Sequence, residues 1–166
     1  MPAIIVYFSR PGNNYVNGSI VNLKTGNTEI AAKFIHELTG APLAKLEPVK
    51  AYSLDYTECT REAQAELRAG ARPAVKECPD ISGYDTVYLG YPNWWGTCPM
   101  CVFTFLASQE WSGKTIKPFC THEGSGMGHS EADIRKACAG AVVMKGLAIH
   151  GADVSKSQAQ IQNWIN

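Results

Sequence analysis

The sequence lacks several of the features that most often reveal a function. It has no net charge, with 15 basic against 15 acidic side chains over 166 residues. That balance supports neither a general nucleic-acid surface nor a polybasic membrane anchor. No apolar run approaches the roughly 18 to 20 residues that a membrane-spanning helix requires. The first residues, Met1-Pro2-Ala3-Ile4-Ile5-Val6-Tyr7, carry no basic segment ahead of an apolar one and enter a strand at once, so a cytoplasmic protein without a secretory signal is expected. Neither G-x-x-x-x-G-K-[ST] nor G-x-G-x-x-G occurs, which removes the triphosphate loop and the dinucleotide fingerprint. Six cysteines are sparse for a disulfide scaffold, and reduced thiols that mostly fill the core are expected. Cys98-Pro99-Met100-Cys101 could be a dithiol at a helix start, but packing is the favoured reading. No second C-x-x-C or paired Cys/His motif completes a zinc site. Without repeats, low-complexity runs or linkers, one domain over residues 1–166 is expected.

What is present is an alternation of strands and helices. Ala3 to Phe8 is a continuous apolar run of the kind buried on both faces of a parallel sheet. Thr28 to Leu38 has helical spacing, with Ile30, Phe34, Ile35 and Leu38 on one face, Glu29 in the first turn and Gly40 as a stop. Ala41 to Pro48 reads as a short edge strand, Asp55 to Ala69 as a helix, Thr86 to Tyr91 as a third strand and Pro99 to Ser108 as a helix. Thr115 to Cys120, Ser130 to Ala137, Val142 to Ile149 and Ser155 to Ile165 complete the series as strand, helix, strand and helix. Such alternation predicts a doubly wound five-stranded parallel sheet in the α/β class. The stretch from Ser9 to Asn27 far exceeds the usual βα connection of about 2–6 residues. Asn17-Gly18 at its middle predicts a small hairpin inserted within Pro11–Lys24.

Three segments rich in Gly, Asn and hydroxyl groups follow the first, third and fourth strands, and in an open parallel sheet those strand ends share one rim. Thr25-Gly26-Asn27-Thr28 leads into a helix whose first amides and dipole favour an anion. Pro92-Asn93-Trp94-Trp95-Gly96-Thr97 places two indoles in one turn, where both cannot be hidden cheaply, so a planar ring stacked on one of them is expected. Thr121 to Gly128 offers backbone donors to a polar heterocycle, and His122 and Glu123 read as structural hydrogen-bonding residues rather than catalysts.

The residues on these segments carry a family resemblance. Val6-Tyr7-Phe8-Ser9-Arg10 and Gly26-Asn27-Thr28-Glu29 resemble the two halves of the flavodoxin phosphate loop, in the branch where an insert interrupts it. Gly90-Tyr91-Pro92-Asn93-Trp94-Trp95-Gly96-Thr97 resembles the second flavin loop, and Pro118 to Gly126 the end of the fourth strand with the third loop. The resemblance covers nearly the whole chain and implies a flavodoxin-like sheet of order 2-1-3-4-5 with helices on both faces. It implies FMN, with Ser9, Arg10, Thr25, Gly26, Asn27 and Thr28 holding the phosphate. Pro92, Asn93, Trp94, Trp95 and Gly96 would then line the isoalloxazine, and Thr121, His122, Glu123, Gly124 and Ser125 its other edge. No catalytic side chain and no metal are implied, and the partners would be redox proteins rather than nucleic acid or membrane. Two features depart from the pattern: the neutral overall charge and the Cys98/Cys101 pair. The expected function is electron transfer between redox enzymes, with a small FMN-dependent NAD(P)H:quinone-type oxidoreductase as the alternative. A phosphate-binding signalling domain of the same topology is disfavoured, because Val6-Tyr7-Phe8-Ser9 provides no acidic cluster for Mg²⁺.

Overall fold

The computed structural model describes residues 2–166, so Met1 lies outside the described residues. Its main sheet is built on β1 (Ala3–Tyr7), which pairs in parallel with β4 (Leu43–Lys45) on one side and β5 (Thr86–Pro92) on the other. β5 pairs in turn with β6 (Thr115–His122), and β6 with β7 (Val142–Val143) and β8 (Leu147–His150). Counting β7 and β8 as one interrupted strand, this is the 2-1-3-4-5 order that the resemblance implied.

Both faces of the sheet are covered because β1 is apolar at every position. Ile4, Val6 and Phe8 enter one core with α3 (Met100–Ala107) and α4 (Ser130–Ala137), while Ile5 and Tyr7 enter the other with α1 (Asn27–Thr39) and α5 (Gln158–Ile165). α2 (Tyr56–Ala69) starts at Asp55, whose carboxylate accepts the Glu58 amide at 2.9 Å. Asp55 is therefore the cap that precedes the helix rather than its first turn.

The insert forms the expected hairpin, β2 (Gly12–Val16) against β3 (Ser19–Leu23). Asn17 and Gly18 both have positive φ at its tip (52° and 85°), as a two-residue turn matching strand twist requires. Two expectations are corrected. The predicted strand Val142–Ile149 is interrupted, because Ile116 pairs with Val143 and Phe119 with Leu147, leaving one extra residue on the outer side. Pro118 lies in β6 between the two paired stretches and has no N–H to give a ladder. Opposite it, Gly146 approaches so closely that a Cβ would lie 3.1 Å from the Pro118 carbonyl oxygen. The predicted helix Ser155–Ile165 is also divided, into a 3₁₀ turn (Gly151–Lys156) and α5. The hydroxyl and amide of Ser157 both donate to the Val154 carbonyl, at 2.6 and 3.1 Å, and close the turn before the α-helix begins.

The central strands meet tightly at Gly90, where a Cβ would stand 2.2 Å from the fully buried ring of Phe119. Gly90→Ala is expected to destabilise the fold by about 1–3 kcal/mol through overpacking. For a chain of this length that lowers Tm by several degrees, about 2–4 °C per kcal/mol, readable by thermal unfolding.

Candidate functional site

The C-terminal ends of β1, β5 and β6 bring the three expected loops to one cleft. At its first end, Gly26 occupies the N-cap of α1 and has no side chain with which to cap it. Ser9, at the end of β1, does so instead: its Oγ accepts the Glu29 amide at 3.0 Å. A Cβ on Gly26 would lie 2.2 Å from that Oγ and 2.8 Å from the Arg10 carbonyl oxygen, so only glycine permits this approach. The amides of Asn27 and Thr28 have no intrahelical acceptor, and the helix dipole reinforces their attraction for an anion. Thr28 and Thr121 are buried with their hydroxyls 2.8 Å apart. Whichever of the two donates, the hydrogen of the other hydroxyl remains to be given elsewhere. The one acid in the first helical turn is neutralised. Burial raises the Glu29 carboxyl, but Lys33 at 3.1 Å and Lys45 at 3.2 Å outweigh it and hold the group below its ordinary range.

The second loop is a tight turn in which Trp94 and Thr97 exchange backbone hydrogen bonds of 3.0 and 3.3 Å. Its central residues, Trp95 and Gly96, both have positive φ (57° and 88°). For a residue as large as Trp this left-handed conformation costs roughly 1–2 kcal/mol. It is held from two directions: Trp95 Nε1 donates to the Thr60 carbonyl in α2 at 3.0 Å, and Asn93 Oδ1 accepts the Gly96 amide at 2.9 Å. Asn93 also donates to the Gly126 carbonyl from its side chain and to the Thr121 carbonyl from its backbone, which ties the second loop to the third. The two indoles have separate roles. Trp94 packs edge-on against Phe8 and Tyr52, with centroids 5.2 and 4.9 Å away, whereas Trp95 is half exposed.

The third loop reaches the insert. Glu123 Oε1 accepts the Asn17 amide at the hairpin tip at 2.6 Å, and Tyr15 lies over Tyr56 with centroids 6.1 Å apart. The hairpin thus spans from the third loop to α2 across the cleft. Arg10 fastens its base, donating through Nη2 to the Ser53 carbonyl at 2.7 Å and through Nη1 to the Asn13 carbonyl, while its Nε is buried without a partner. Burial and the neighbouring His150 lower the pKa of His122, against the opposing pull of Glu123, and keep its imidazole neutral at pH 7.

The cleft has two adjoining cavities. One of about 240 Å³ is lined by Ser9, Asn27, Thr28, Pro92, Thr121, His122 and Glu123, and one of about 480 Å³ by Trp95 and Gly96. Arg10, Asn93, Trp94 and Ser125 border both. Sizes of this order suit a small-molecule or cofactor site, typically about 300–1,000 Å³. Thr25, Gly26 and Gly124 do not line either cavity; they shape the loops that do. His122 and Glu123 line the smaller cavity together with Asn27, Thr28 and Trp94. The sequence reading missed one whole wall: Asn14 and Tyr15 from the hairpin, and Tyr56, Cys59, Thr60 and Ala63 from α2. The Asn17-Gly18 turn announced the hairpin but not where it would fold, and nothing in the helical spacing of α2 distinguished a cleft-facing stripe from a core-facing one.

The chain is thus a doubly wound α/β protein whose cleft, with a helix start at one end and an aromatic turn at the other, lies at the carboxyl ends of the strands where such folds bind ligands. The comparisons narrow this class. The sequence model of the flavodoxin family matches residues 9–166, and the chain belongs to that family. Two solved structures are each 27% identical over 99% of this chain: a candidate flavoprotein from Bacteroides uniformis ATCC 8492 (TM-score 0.77, 97% of that chain) and another from Bacteroides eggerthii DSM 20697 (TM-score 0.79, 95% of that chain). A flavoprotein from Lactobacillus acidophilus NCFM, solved in complex with FMN, shares the fold at 17% identity and TM-score 0.69, with 99% of each chain covered. Among curated proteins nothing matches.

The Cys98/Cys101 pair takes no part in the cleft. Both thiols are buried in the core, burial pushes Cys98 well up and Cys101 to about 12, and both stay protonated through neutral pH. Brief alkylation of the native protein at pH 8, followed by peptide mapping, is expected to label the partly exposed Cys78 and leave Cys98 and Cys101 unmodified. Labelling of either buried thiol at the rate of Cys78 would show that the pair is accessible.

Proposed function

We propose that this protein binds FMN in the cleft and carries electrons between larger redox enzymes. The observation that carries the reading is the joining, in one cleft, of a helix start built for an anion to a turn that presents an indole. The residues fit the group. The amides of Asn27 and Thr28, with the Thr28/Thr121 hydroxyl pair, would hold the phosphate, and Gly26 lets Ser9 approach closely enough to cap the helix and leave those amides free. Trp95 would cover the ring from outside while Trp94, fixed by Phe8 and Tyr52, forms a rigid wall. Arg10 brings a cation with an unused donor to the boundary of the two cavities. When bound, FMN supplies one- and two-electron transfer. The chain's own contribution is to orient the cofactor, exclude water and set the charge around it.

The neutral overall charge favours keeping a second reading, an FMN-dependent NAD(P)H:quinone-type oxidoreductase. A strongly acidic surface for steering basic partner proteins is not provided by this composition. Rapid NAD(P)H oxidation with a diffusible quinone would establish that reading. Negligible turnover, with electron exchange only through a partner protein, would establish the carrier.

FMN is expected to bind far more tightly than riboflavin, as measured by quenching of flavin fluorescence. Thr28→Ala should weaken FMN by about 10- to 150-fold, the equivalent of a lost hydrogen bond to a charged group, about 1.5–3 kcal/mol. Riboflavin should be nearly indifferent to it, and equal affinity for the two flavins would remove the phosphate assignment.

The two indoles should separate cleanly. Trp95→Ala is expected to weaken both flavins and to lower Tm only slightly, since a half-exposed ring and its one hydrogen bond to Thr60 are lost while the left-handed backbone keeps its cost at any residue with a Cβ. Trp94→Ala is expected to lower stability by about 2–3 kcal/mol, less than for a fully buried Trp. If Trp95→Ala leaves both affinities unchanged, that indole does not cover the ring.

A further inference from the structure

A group of titratable side chains gathers at the anion end of the cleft, and one of its members, His150, comes from a strand outside the three expected loops. His122 ends β6 and lines the smaller cavity with Asn27 and Thr28. Its Nδ1 accepts the Gly124 amide at 2.9 Å, so the neutral ring carries its hydrogen on Nε2. His150 ends β8 and stands edge-on to His122, with centroids 5.6 Å apart at 81°. Its Nε2 lies 3.5 Å from Glu123 Oε2, a buried oxygen with no hydrogen-bond donor. Gly151 seals the group: a Cβ there would stand 2.6 Å from Asn27 Nδ2 and 3.1 Å from Glu123 Oε2. The two imidazoles, the Glu123 carboxylate and the first residue of α1 are thus packed together.

We propose that His122 and His150 belong to the phosphate site as its charge-compensating groups, so that seating a phosphate monoester on the start of α1 takes up a proton from solution. The inference rests on the reading of the cleft as an FMN site. A phosphate monoester brings nearly two negative charges at neutral pH, the helix start answers with about half a positive charge, and Glu123 adds a further negative one. The other charged or titratable groups facing the pair are Arg10 at the edge of the same cavity, the exposed Asp153 3.9 Å from His150 Nδ1, Glu29 tied to Lys33 and Lys45, and Tyr15 and Tyr56, which also line the cavity. The imidazoles are the groups whose charge can change there. Without an anion, burial and His150 disfavour the cation on His122; an opposite charge within about 4–6 Å favours it. Because positive charges on the two facing rings oppose each other, the proton taken up belongs to the pair and not to either ring alone, and Glu123 Oε2, 3.5 Å from His150 Nε2, lies where it is favoured by a hydrogen on that nitrogen. The sign follows: the anion raises the affinity of the pair for protons, so FMN binds more tightly as pH falls. One linked proton allows at most about a tenfold change per pH unit.

Calorimetric titration of the flavin-free protein with FMN and with riboflavin, in two buffers of different ionisation enthalpy, counts the protons exchanged. At pH 7.5 free FMN has lost its second phosphate proton, which leaves at about pH 6, so uptake arises on binding, and the histidine variants distinguish the imidazoles from the bound phosphate as its seat. FMN binding is expected to take up a substantial fraction of a proton and to weaken several-fold between pH 7.0 and 8.5, while riboflavin takes up none and shows no such dependence. His150→Gln and His122→Gln should each reduce the uptake and flatten the pH dependence of FMN binding. His150→Asn and His122→Asn replace either variant that fails to fold by circular dichroism. Tight, riboflavin-excluding FMN binding without proton uptake, or with uptake unchanged in both variants, overturns this inference and leaves the FMN site standing. Equal binding of the two flavins, or of neither, overturns both.

Discussion

The whole rim depends on how closely the end of β1 approaches the start of α1. The Ser9 hydroxyl takes the Glu29 amide across a gap that only Gly26 leaves open, and this one contact turns the helix start toward the cleft with two amides unused. The same approach buries Thr28 against Thr121, and the Thr121 carbonyl in turn receives the Asn93 amide. Loops from three strands are therefore held in register by one run of short polar contacts. Changing the first contact by an ångström would shift all three, because the groups involved are packed and have no slack to absorb it.

The aromatic end follows a different logic. There the backbone is held in an unfavourable conformation at Trp95, and the cost is offset by hydrogen bonds given to the Thr60 carbonyl and to Asn93 Oδ1. Strain kept at a bulky, half-exposed residue is more economically explained by a binding role than by folding. The insert completes the arrangement. Its tip is fixed by Glu123 and its face by Tyr56, so the segment inserted between β1 and α1 in sequence becomes a wall of the cleft in space.

Membership in the flavodoxin family defines the scaffold and the switch-point location of the cleft more firmly than it defines the chemistry, since one fold hosts carriers and enzymes alike. To that scaffold the chain adds a neutral overall charge, the hairpin, two indoles in different environments and a histidine pair beside the helix start.

Much of this was legible in order along the chain. The apolar run at Ala3 to Phe8, the helix ending at Gly40 and the Asn17-Gly18 turn are local signals, set by side-chain period and by which residues tolerate positive φ, and each appears where such rules place it. The interruption opposite Pro118 and the 3₁₀ turn before Ser157 were less legible, because both arise from partners distant in sequence or from a hydroxyl choosing a carbonyl. By itself the sequence determined the alternation of elements and the chemical character of the three loops. Only the tertiary structure decided which of Trp94 and Trp95 faces the solvent, that His150 stands beside His122, and that the hairpin and α2 close the cleft. Those are facts of distance between residues up to about a hundred positions apart, and no local pattern encodes distance.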